Sequence, residues 1–259
     1  MASPRRSAAC IYRPLRSAAR LAIGLSCAVV VAPAGAAPSE SVASGPVVLL
    51  HGLARSARSM QPLADALAAT GRRVCNIDYP STTATVTELA REVVLPAIHQ
   101  CRDDADTPID FVTHSMGGIL VRQLATLDDA PAIGRVVMLS PPNHGSELVD
   151  RMGQWPPFRW WNGPAGSTLG TGPDDLPARL GPATFSLGII TGTRSYNPLF
   201  SAWIPGPDDG KVSVASAKLD GMQAFRTVDA SHTFIMRDDR VIALTRNFLQ
   251  SGHFDTIAH

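Results

Sequence analysis

Aromatic residues are scarce, at 6% of the 259-residue chain, and charged residues make up only 17%. So few aromatics leave most of the core to Ala, Val, Leu and Ile. Low charge combined with 45% hydrophobic residues excludes a disordered polar chain and a coiled coil. Neither sign of charge dominates, the formal net charge being +1, so the overall basic field of a nucleic-acid binder is missing. The apolar run at 21–32 is only about 12 residues long, against the roughly 20 that span a bilayer. No Cys-x-x-Cys pair or clustered His/Cys set suggests a metal site. No glycine-rich stretch fits a phosphate-binding loop or a dinucleotide fingerprint, so no cofactor is implied.

What is present begins with a contrast between two segments. Residues 1–36 hold five arginines and no acid, then the apolar run, then Ala34-Gly35-Ala36. A charged start, a short apolar stretch and a small-residue exit read as a secretory signal peptide cleaved near Ala36. The expected mature chain, 37–259, carries 18 Lys and Arg against 22 acids, a net charge of −4. It keeps two cysteines, Cys75 and Cys101. An even pair in an exported protein is a disulfide candidate. Its length suits one α/β domain.

The mature chain alternates strand-like and helix-like segments. Short apolar runs predict strands at 47–50, 73–77, 109–113, 135–139, 186–191 and 222–228. Helical spacing predicts helices at 60–70, 87–101, 117–127 and 238–250. This alternation predicts a mostly parallel sheet with helices on both faces and active residues on loops at the carboxyl ends of the strands. One stretch breaks the pattern. From 153 to 182, 12 of 30 residues are Gly or Pro, and Trp155, Trp160 and Trp161 lie here. That density argues against long regular structure. We read 150–185 as a cap over the sheet edge.

The strongest chemical signal is Phe111-Val112-Thr113-His114-Ser115-Met116-Gly117-Gly118. A strand runs straight into Ser115 and a helix follows, which is the setting of a nucleophile elbow. Thr113 stands where the first glycine of Gly-x-Ser-x-Gly usually is. His114, as the direct neighbour, should point away from the serine hydroxyl. A serine nucleophile needs a base. His232 lies just past the last strand, where a loop can reach Ser115. The acid should come from the preceding loop, Pro205-Gly206-Pro207-Asp208-Asp209-Gly210. Asp209, before a glycine, is the first choice; Asp208 competes and Asp220 is a distant third. The acid fixes the histidine tautomer and stabilises the imidazolium. Acyl transfer also needs two donors for the developing oxyanion. We assign these to the backbone amides of Leu53, in Leu50-His51-Gly52-Leu53, and Met116. His51 should shape this loop rather than act as base.

These residues resemble the α/β-hydrolase superfamily, and small secreted bacterial lipases and esterases in particular. The likeness covers nearly all of 45–250. It rests on His51-Gly52-Leu53, the Ser115 elbow, Pro142-Asn143-His144-Gly145-Ser146, Asp209-Gly210 with Val212, and His232. It implies a minimal sheet of about six strands. It also implies that Asn143 and His144 lie beside a cleft with His51, Gly52 and His114. The implied activity is hydrolysis of carboxylic esters through Ser115, His232 and Asp209 by way of an acyl-enzyme. An acyltransferase or an amide deacylase would use the same triad, and a non-catalytic binding protein could keep the same fold. The expected ligand is a small acyl ester or a lipid, with possible contact with a lipid interface and no nucleic-acid partner, and the expected state is a monomer.

Overall fold

The computed structural model describes residues 45–255 except 103 and 105. The expected leader at 1–36 lies outside these residues. Among them, no helix is long and apolar enough to cross a membrane.

Six strands form one sheet: β1 (Val47–Leu50), β2 (Val74–Ile77), β3 (Ile109–His114), β4 (Ile133–Leu139), β5 (Ser186–Gly192) and β6 (Ala224–Val228). Their order is β2-β1-β3-β4-β5-β6, and every pair is parallel. This is the minimal α/β-hydrolase sheet the sequence predicts. The four residues of β1 are all buried, as a continuous apolar run between two helical layers requires.

Successive side chains of a strand face opposite ways, and the core divides accordingly. Val48, Leu50, Phe111, Val136 and Met138 pack into one layer with Val86, Leu95, Ile98 and Ile119. Val47, Leu49, Val112, Val137 and Leu139 pack into the other with Leu63, Leu67, Val241 and Phe248.

The helices of these layers follow the strands. α1 (Gln61–Ala68) follows β1. The next helical stretch runs as α2 (Val86–Glu88), a π-helical segment at Leu89–Val94, and α3 (Leu95–Cys101). Thr85 and Glu88 form a capping box at its start. The widened turn comes just ahead of Pro96, which has no amide to donate back along the helix. α4 (Met116–Leu124) follows β3 directly. Between β4 and β5 lie α5 (Glu147–Met152), α6 (Pro156–Ser167) and α7 (Leu176–Arg179). α8 (Pro198–Ser201) and α9 (Val214–Ala217) precede β6, and α10 (Asp239–Ser251) closes the domain.

Two sequence expectations meet their outcome here. Cys75 and Cys101 are joined by a disulfide, with 6.2 Å between their Cα atoms. The bond ties edge strand β2 to the end of α3. The Gly/Pro-rich stretch, by contrast, carries more helix than its composition suggests. Pro156 and Pro157 open α6, where a missing amide costs nothing. Gly163, at φ 64° and ψ −167°, kinks the helix just before Pro164. Position along the helix, not overall content, decided the outcome.

Candidate active site

In this strand order the chain leaves β1 toward one edge and returns on the other side of it as β3. Loops after β1 and β3 therefore diverge and open a crevice at the carboxyl ends of the strands. The candidate site sits there.

Ser115 occupies the turn between β3 and α4. Its backbone, at φ 54° and ψ −123°, lies in a region that non-glycine residues rarely adopt. The helix that starts at the next residue leaves its first amides without intrahelical acceptors; that of Met116 is the second expected oxyanion donor, and that of Gly118 donates to the Ser115 carbonyl at 3.0 Å. The tight junction needs Gly117: a Cβ there would stand 2.6 Å from the Leu50 carbonyl oxygen. Thr113 is an ordinary strand residue, between Leu50 and Met138 in register, so the missing glycine does not disturb the elbow. Its buried hydroxyl has no partner among the described residues.

Three side chains from three loops meet here. The Ser115 hydroxyl donates to His232 Nε2 at 3.0 Å. His232 Nδ1 donates to Asp209 Oδ2 at 2.8 Å. The other Asp209 oxygen accepts the amides of Lys211, at 3.1 Å, and Val212, at 2.9 Å. Burial alone would raise the Asp209 carboxyl; the charge of His232 and hydrogen bonds from His232, Ser140 and Val212 outweigh it and hold the group below its usual range. Asp208 turns elsewhere, accepting the Ser201 hydroxyl and the Gly210 amide.

A cavity of about 430 Å³ opens beside Ser115 and His232, a size suited to a small molecule. Leu148 and Val149 of α5, with Phe158 and Trp161 of α6, supply much of its apolar wall. Trp155 and Trp160 are exposed, Trp160 at 82%, so they do not pack the cap onto the sheet. Leu53, whose amide is one expected oxyanion donor, lines the cavity as well.

Of the five residues expected along the cleft, only His114 borders this cavity. Its Nε2 donates to the His232 carbonyl at 2.9 Å, away from the serine hydroxyl. Burial first, then the nearby charges of His232 and Arg55, push its pKa well down and keep it neutral. Gly52 is buried behind it. His51 is fully buried and stacks on Tyr79 with ring centroids 4.0 Å apart. Its Nδ1 donates to the Gly52 carbonyl and its Nε2 accepts the Tyr79 amide, so it holds the loop rather than meeting a ligand. Asn143 is buried too, donating to the Ala217 carbonyl and accepting from Arg122. His144 is exposed and turned toward the Ser216 carbonyl. His51, Asn143 and His144 spend their polar atoms on neighbouring backbone and on Arg122 and do not line the cavity. Two residues that sequence reasoning passed over do reach it: Arg55 and Lys211. Each stands two positions after a motif residue, Leu53 or Asp209, and that spacing was the available signal.

The sequence profile described as the alpha/beta hydrolase family matches residues 47–258. The chain belongs to the alpha/beta hydrolase family. Solved structures of similar fold include the Bacillus licheniformis lipase BlEst2. In its propeptide form it aligns with a TM-score of 0.63 and 20% identity, over 80% of this chain and 50% of that one. The hydrolase chain thus spans about half of that form. The mature form aligns at 0.59 and 18% identity, over 82% of this chain and 93% of that one. Phospholipase PlaB from Legionella pneumophila aligns at 0.55 and 22% identity, over 67% and 45%. At these identities the likeness is one of fold. No curated protein matches the sequence.

Proposed function

We propose that this alpha/beta hydrolase cleaves carboxylic esters of apolar acyl groups through Ser115, His232 and Asp209. The observation that carries the reading is the unbroken chain of hydrogen bonds from the Ser115 hydroxyl through His232 to Asp209, at 3.0 and 2.8 Å. Ser115 Oγ attacks the acyl carbonyl while His232 Nε2 takes its proton. The developing oxyanion is held by the amides of Leu53 and Met116. His232 then protonates the departing alcohol. In the second half it deprotonates water, which attacks the acyl-enzyme and frees the acid. Asp209 keeps the proton on Nδ1, so that Nε2 faces the serine as acceptor, and stabilises the imidazolium.

The apolar cavity wall favours an acyl or lipid substrate. The disulfide suits an oxidising compartment, which accords with the leader read at residues 1–36 and with an exported enzyme.

The test is hydrolysis of 4-nitrophenyl butyrate by the wild type and by Ser115→Ala, with fluorophosphonate labelling of both. The expected result is loss of at least about 10⁴-fold in kcat, and of the label, in the variant. Full activity in Ser115→Ala would overturn the mechanism.

A further inference from the structure

The cavity that borders Ser115 has two cations on its wall, Arg55 and Lys211. They come from different loops, one after β1 and one before β6. Each is anchored within a residue or two of the candidate triad. The Arg55 guanidinium donates to the carbonyl of Thr233, the neighbour of His232. The Lys211 amide donates to Asp209, and its carbonyl accepts the Ser146 hydroxyl. Their places relative to Ser115 are therefore set by the same loops that set the triad.

Among the described residues, neither side chain has a carboxylate partner within ion-pair distance. Asp209, the acid whose charge reaches Lys211, is already engaged by His232. The two cations also sense each other. Lys211 is exposed as a residue, yet the surroundings of its ammonium and the charge of Arg55 lower its pKa. Arg237 adds a further positive charge felt by Arg55. Two like charges facing one cavity make its potential positive and favour an anion there. Elsewhere on the molecule, exposed arginines such as Arg194 and Arg226 are paired with Asp229 and Asp255. Arg55 and Lys211 differ from that pair of arginines in facing a cavity, and in facing it together.

We propose that Arg55 and Lys211 form an anion subsite on the rim of the Ser115 cavity, and that the substrate is an acyl ester carrying a carboxylate or a phosphate. The inference rests on the ester-hydrolase reading above and narrows its substrate class. The apolar part of the substrate lies against Leu148, Val149 and Phe158, and its anionic group faces the two cations. Arg55 suits a planar or tetrahedral oxyanion through paired N–H donors, whereas Lys211 acts as a point charge.

Two measurements test this. In the first, hexyl phosphate, hexanoate and hexanol are titrated into Ser115→Ala protein, followed by tryptophan fluorescence, since Trp161 lines the cavity. At least one of the anions is expected to bind 10-fold or more tighter than hexanol, and the tighter of the two names the group. That advantage should shrink about 10-fold when Arg55→Gln or Lys211→Gln is added, and should weaken with salt. Equal binding of anion and alcohol, or an advantage that survives both substitutions, overturns the subsite. In the second, kcat/KM is compared for butyrate esters of 4-hydroxybenzoate, of its methyl ester and of 4-hydroxyphenyl phosphate. The anionic-to-neutral ratio should fall about 10-fold in each single variant. A ratio that stays constant overturns the proposal. If the wild type turns over none of these esters, the hydrolase reading fails, while the binding titration still decides the subsite.

Discussion

His232 is joined to Asp209 twice. Its ring Nδ1 donates to the carboxylate at 2.8 Å, and its backbone amide donates to the Asp209 carbonyl at 2.9 Å. The second bond does not depend on the carboxylate. The loop geometry should therefore persist when the acid is neutralised.

Asp209→Asn is accordingly expected to fold and to lose about 10³–10⁴-fold in kcat, because the histidine tautomer is no longer enforced. Asp208→Asn should lose less than about 10-fold, since Asp208 bonds Ser201 and Gly210 instead. Steady-state rates on a nitrophenyl ester check both. Equal losses in the two variants would contradict the assignment.

Buried neutral histidines make stability depend on pH. Burial lowers the folded-state pKa of His51 and sets that of His114 well below 6.5. The unfolded chain then binds more protons than the folded one as pH falls below about 6.5. Stability should be full above that value and lost below it, by up to about 1.4 kcal/mol per histidine per pH unit. Urea midpoints at pH 8.0, 6.5 and 5.5 measure the slope. His114→Asn should flatten it.

Arg122 is a buried cation from α4 whose pKa burial lowers to about 10. It donates to the carbonyls of Asn143, Pro177 and Gly181, joining the elbow helix to the loop after β4 and to the far end of the cap segment. Arg122→Leu strands these acceptors and should cost roughly 3 kcal/mol. Urea unfolding gives the value, and substrate KM should rise as the cap loosens.

The Cys75–Cys101 bond closes a loop of 26 residues in sequence. Reduction, or Cys75→Ser with Cys101→Ser, should lower stability by about 3–4 kcal/mol. Denaturation with and without a thiol reductant checks the figure.

The parts of this structure legible in the sequence are those that depend on near neighbours. The apolar run of β1 and the Ser115 turn each state their conformation within a few residues. The glycine after Asp209 favoured it over Asp208 without excluding the latter, and Asp209 is the one that bonds His232. What depends on distant partners was less legible. His51 and Asn143 looked like cleft residues until Tyr79, Ala217 and Arg122 claimed their polar atoms. Arg55 and Lys211 are 156 positions apart in sequence, and only the convergence of two loops makes their charges one feature. The helix at Pro156–Ser167 was hidden because composition counts prolines without regard to where they fall.

Gly163 has a reach beyond its kink. A side chain there would collide with the Thr82 carbonyl, so the first half of α6 rests on the neighbouring loop with only a hydrogen atom between them. That half carries Phe158 and Trp161, which line the cavity that Ser115 borders. The size of the chamber is thus governed from a position that does not line it. A single methyl group at 163 would shift that half of the helix or push the loop aside, and the room beside Ser115 would change while every wall residue stayed the same.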